Sequence, residues 1–189
     1  VKGGVGVVSG RIMASAPIDG GKGSILIAGR RSWADLFLKL SSDEQQQNTR
    51  VYFYDLNTKV EYDLTEDDRI GFSAYYGRDV FGYSDQFQFD WGNLSTSLVW
   101  NHAYGDKLTQ NISAFYTRYS YEVGSDPVFN VQSNINNTGL NLDYEYALND
   151  KHKLKFGLQG TYYNIPPGIL TGEDLNADAV DKQYGLEVT

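Results

Sequence analysis

The chain has no cysteine, one methionine, two histidines and four prolines among its 189 residues. Without cysteine there is no disulfide framework and no thiolate metal site. His102 and His152 stand apart with no companion ligand, so they make neither a metal centre nor a triad. No Ser, His and Asp set has a spacing that defines a nucleophile, so neither an enzyme nor a cofactor is expected. No run approaches the roughly 20 apolar residues of a membrane-spanning helix. Positive charge is also scarce: 16 Lys and Arg stand against 24 Asp and Glu, a net charge of −8. That balance argues against nucleic acid or an anionic lipid surface as a partner.

Aromatic residues are plentiful: 15 Tyr, 9 Phe and 3 Trp. That is more Tyr than a globular core can use, because each buried hydroxyl must find a partner. At a membrane interface the problem vanishes, since one end of the ring stays wet.

Their placement follows a period of two. In Val51–Leu64 the even positions read Tyr52, Tyr54, Leu56, Thr58, Val60, Tyr62 and Leu64. The odd positions from Asp55 on read Asp55, Asn57, Lys59, Glu61 and Asp63. A strand sends successive side chains to opposite faces, so one face is apolar and the other charged. The same alternation recurs at Ile70–Gly77, Asn93–Asn101, Leu140–Tyr146 and Leu154–Gln159, with Val99 as an exception. Leu108–Tyr121 and Ser24–Leu38 alternate less cleanly, around Gln110 and around Arg30 and Arg31.

Turn signals punctuate these runs at Asp19–Gly23, Thr65–Asp68, Gly105–Lys107 and Asn149–His152. Longer connections are expected at Ser41–Asn48, Tyr83–Gln86, Gly124–Asn136 and Pro166–Asp181. The expected fold is all-β: an antiparallel transmembrane β-meander of about nine strands, each roughly 15 residues. Short turns at one end and longer loops at the other suit a periplasmic and an extracellular side. A soluble β-sandwich also alternates, but its strands usually run about 5–6 residues.

On this reading Asp55, Asn57, Lys59, Glu61, Asp143 and Glu145 face a lumen. Arg31 and Asp35 share a strand face, with Arg30 on the other. They are candidates for an anionic ligand group or a structural ion pair in the wall. Tyr75, with Tyr76, Tyr83, Tyr162 and Tyr163, lies toward the outer end, as a ligand contact or part of an aromatic girdle. Asp174-Leu-Asn-Ala-Asp178 has the start of a calcium loop, but Ala179 and Gly185 break the rest.

Several blocks carry a resemblance. They are Gly4-Val-Gly-Val-Val-Ser-Gly-Arg11, Gly29-Arg-Arg-Ser-Trp-Ala-Asp-Leu-Phe-Leu38 and Tyr52-Phe-Tyr-Asp-Leu-Asn-Thr-Lys59. Gly77-Arg-Asp-Val-Phe81, Trp91-Gly-Asn93 and Trp100-Asn-His102 follow in order. Together they resemble the barrel of TonB-dependent outer-membrane receptors of the Bacteroidota type, in the group with a carboxypeptidase-regulatory-like domain ahead of the plug. The resemblance implies a 22-stranded barrel around a plug, importing a nutrient of siderophore, glycan or peptide class with energy from the TonB complex. Residues 1–189 would be the N-terminal half of that barrel, an excerpt without plug or closing strands. Implied partners are membrane lipid, the plug, the remaining strands, a surface lipoprotein and the barrel-assembly machinery. Arg31, Asp35 and Tyr75 would then meet the plug or the ligand. A small self-contained barrel with a structural or adhesive role is the alternative.

Overall fold

The alternating runs form strands whose ends fall at the Gly-, Asn- and Asp-rich turns. A computed structural model describes residues 1–84, 86–125, 128–172, 175–177 and 183–189. Its elements in chain order are β1 (Lys2–Val5), β2 (Ser9–Ile18), β3 (Gly23–Ser32), α1 (Ala34–Leu38), α2 (Glu44–Gln47), β4 (Arg50–Asp63) and β5 (Asp68–Tyr83). There follow β6 (Phe87–Tyr104), β7 (Leu108–Ser125), β8 (Phe129–Asn149), β9 (His152–Ile165), β10 (Ile169–Gly172), β11 (Leu175–Ala177) and β12 (Gln183–Val188).

All twelve strands join one sheet, and every pairing is antiparallel. The all-β antiparallel expectation therefore holds. The count exceeds nine because short β1, β10 and β11 join the longer strands. Neighbours in sequence pair from β1 to β9. Beyond that the order departs from a simple meander: β10 pairs the first part of β8, and β12 pairs β9. β8 has 21 residues and is long enough to hold β10 and β9 at different heights.

One expected connection and one expected strand are corrected. Gly124–Asn136 is not a long loop, because β7 runs to Ser125 and β8 starts at Phe129. Ser24–Leu38 is not one strand: β3 stops at Ser32, and Asp35 lies in α1. The calcium-like stretch at 174–178 extends outside the described residues.

Tight turns use the residues that tolerate them. Gly20, Gly21 and Gly105 have φ of 65°, 101° and 63°, conformations a Cβ disfavours. Within the sheet, Phe115 opposes Gly139, and its ring occupies the space a Gly139 side chain would take. An aromatic ring over a cross-strand glycine replaces the missing packing.

The sheet is a single layer. Val80 is the one buried apolar residue among the described residues. The accessible surface is 12877 Å². A globular monomer of this mass exposes about 9,100 Å² by surface scaling. Large apolar side chains such as Leu98 and Leu158 remain more than half exposed, at 55% and 54%. Backbone ladders and cross-strand pairs hold the layer together rather than a core.

Candidate functional site

Directly opposed residues share a face, so the register sorts every strand side chain to one side of the sheet. The first face carries three complete rows without Asp, Glu, Lys, Arg or His. One runs Ala14, Ile27, Thr58, Ala74, Thr96, Tyr116, Thr138 and Tyr162. The next runs Ala16, Ile25, Val60, Phe72, Leu98, Ala114, Leu140 and Gly160. The third runs Ile18, Gly23, Tyr62, Ile70, Trp100, Ile112, Leu142 and Leu158.

Nearer the short turns this face adds Asp68, His102, Gln110, Tyr144 and Phe156 in one row. Asp68 is satisfied there: Trp100 Nε1 donates to it at 2.9 Å, and His102 Nδ1 lies at 2.7 Å. Gln110 is buried and accepts from the Tyr104 hydroxyl at 2.8 Å. Toward the longer connections the first face turns polar, with Arg31, Arg78, Asp90, Glu122 and Gln132. Arg78 donates to Asp90 at 2.6 Å, and that hydrogen bond pushes the Arg78 guanidinium further up.

The second face runs the opposite way. Beside the charge-free rows it carries Asn57, Lys59, Glu61, Ser73, Ser97 and Asn141. Lys59 pairs with Glu61 at 2.9 Å, and Ser73 with Ser97 at 2.7 Å. Toward the longer connections it turns aromatic: Phe53, Phe81, Phe89, Trp91 and Tyr121. Phe89 and Trp91 rings lie 4.8 Å apart. The polarity of both faces thus inverts along continuous strands, without a bulge in β4 to β7.

Asp55, Asn57, Lys59, Glu61, Asp143, Glu145 and Tyr75 all stand on this second face. They form two groups. Asp55 opposes Gly77, and Asn57 opposes Tyr75, whose hydroxyl covers the bare Gly77 position. Arg30, opposite Asp55, donates to it from Nε at 2.7 Å and stacks over Phe53 at 4.8 Å. Asp143 and Glu145 lie on β8 near the short turns. Glu145 binds Lys153 at 2.6 Å and Lys155 at 2.9 Å. A concavity of about 790 Å³ there is bordered by Arg69, Asn101, Asn111, Asp143, Glu145 and Lys155.

Arg31 and Asp35 do not join either group. Arg31 is on the first face, opposite Tyr54. It reaches Asp35 in α1 at 2.9 Å, and Asp35 is buried. The pair closes the end of β3 against α1. His152 begins β9, and no group of three or more potential metal ligands forms among the described residues. Residues the sequence reading passed over are the aromatic tier and Arg11, which directly opposes Arg30. Their signal was a one-residue shift of the apolar phase, from Leu94 and Leu98 back to Trp91 and Phe89.

No family model, curated protein or solved structure matches this chain. Function is therefore read from the two faces.

Proposed function

We propose that this chain is a wall segment of an outer-membrane β-barrel, of the TonB-dependent receptor type its sequence blocks resemble. The observation that carries the reading is the charge-free belt on the first face, bounded by polar rows. Counted with the rows that bound it, which carry Arg118 on one side and Asp68 and His102 on the other, the apolar stretch of this face runs from Leu94 to Tyr104 on β6, ten steps or about 33 Å along the strand. Tilted by roughly 40°, that becomes about 25 Å, the height of a barrel's apolar band. A lipid-facing belt also explains a sheet with so little buried apolar surface. Arg118, at the belt's upper edge, turns to Asn134 at 3.0 Å on the polar side, as a long cation does near an interface.

The second face would then line a lumen, with Asp55, Asn57, Lys59 and Glu61 on β4 and Asp143 and Glu145 on β8. A plug, the remaining strands and the TonB complex complete this reading, which makes the whole a nutrient importer. A surface lipoprotein and the barrel-assembly machinery are its further partners. β1 pairs only β2 among the described residues. That open edge favours a larger ring over the self-contained barrel.

The complete reading frame tests the proposal. A plug domain ahead and about a dozen further strands after this segment support it. A stop codon after Thr189 contradicts it. So does a soluble, cooperatively folding monomer obtained without detergent.

A further inference from the structure

Arg11 and Arg30 face each other across β2 and β3 on the second face. Like charges directly opposite repel and destabilise a sheet. Arg30 is compensated by Asp55, whose side chain is only 10% exposed and also accepts from Asn57 at 3.4 Å. Arg11 is exposed and lies over the bare Gly4 position, where a Cβ would stand 3.3 Å from its Nε. No carboxylate lies within 4.0 Å of Arg11 among the described residues. In a chain of net charge −8, this is an uncompensated cation set beside a second one.

One step toward the longer connections, on the same face, stand Phe53, Asp79, Trp91 and Tyr121 in one tier. A cation beside a tier of rings suits a planar anion joined to a flat apolar body. Strand spacing puts the Arg11–Arg30 gap roughly 7 Å from the Phe53 strand and roughly 17 Å from the Trp91 strand, so Phe53 is the ring of that tier within reach. Asp79, the one carboxylate of that tier, disfavours a second negative charge there.

We propose that Arg11, with Arg30 beside it, seats the carboxylate of an organic monoanion whose apolar part lies toward Phe53. This rests on the second face being a lumen wall. The carboxylate comes either from a free ligand or from another segment of the same polypeptide.

The experiment uses protein from the complete reading frame in detergent micelles, titrated calorimetrically with 4-phenylbutyrate and with its neutral amide. A free-ligand seat binds the acid at least tenfold more tightly than the amide. Arg11→Gln removes that preference, and Arg11→Lys retains part of it. A seat filled by the polypeptide shows no titration, and Arg11→Gln then lowers Tm. Either result supports the seat. No acid preference together with an unchanged or raised Tm in Arg11→Gln overturns it, since an empty pair gains from losing one charge. Vesicle insertion is scored in parallel. A protein that inserts but shows neither effect overturns the seat alone; one that folds only in water overturns the lumen reading.

Discussion

Trp91 and Leu94 stand on opposite faces of β6, three residues apart in an uninterrupted ladder with β5 and β7. Each belongs to the apolar side of its own height. Below Leu94 the first face is apolar and the second polar; above Trp91 the assignments are exchanged. A soluble half-buried sheet keeps one face apolar throughout. On the proposed membrane reading the exchange follows from two environments stacked along the strand: lipid outside the lower part and water outside the upper part.

Leu142 and Asp143 are chain neighbours on opposite faces, so they test the lower part. Leu142→Arg places a cation in the charge-free belt, at a cost of about 2–4 kcal/mol if that belt is mid-bilayer. Asp143→Arg meets the polar face and is expected to be milder. Folding yield into lipid vesicles, read by heat-modifiable mobility on a gel, ranks the two. Equal yields would discredit the face assignment.

The ring of Phe115 over Gly139 makes a separate prediction. Phe115→Ala exposes the bare glycine strand and is expected to cost about 0.2–1 kcal/mol, the range for a cross-strand aromatic pair. Gly139→Val is expected to cost more, because a Cβ there overlaps the Phe115 ring. Urea unfolding in vesicles measures both. A neutral Gly139→Val would show that the ring is not seated there.

The Arg31–Asp35 pair is expected to be a structural clasp. A double-mutant cycle with Arg31→Gln and Asp35→Asn should give a coupling of about 1 kcal/mol or less, because Arg31 is partly exposed. Binding of any ligand should be unchanged in Arg31→Gln. A loss of ligand binding without loss of stability would return Arg31 to the list of recognition residues.

Much of the strand pattern was legible because period two and turn chemistry are local. Leu56, Phe72, Leu98 and Leu140 announce one face, and Gly105-Asp-Lys107 announces a return. What was missed depends on context. Asn130, Gln132, Asn134 and Asn136 look like a loop because they are polar, yet they lie on the first face of β8 beyond the charge-free rows. Asp35 continues an apparent alternation from Gly29, but β3 ends at Ser32. There the Trp33 indole donates to Val7 at 2.9 Å and Arg31 clasps α1. Those are contacts between segments, invisible to a local pattern. The Arg11–Arg30 juxtaposition likewise needs the register of two strands.

Trp100 and Trp91 offer the most direct measurement. Trp100 lies on the first face within the charge-free belt, and Trp91 on the second face above it. Single-tryptophan proteins, with the other tryptophans changed to Phe, are inserted into vesicles whose acyl chains carry bromine. Strong quenching of Trp100 and little of Trp91 are expected. Equal quenching of both, or none of Trp100, would contradict it.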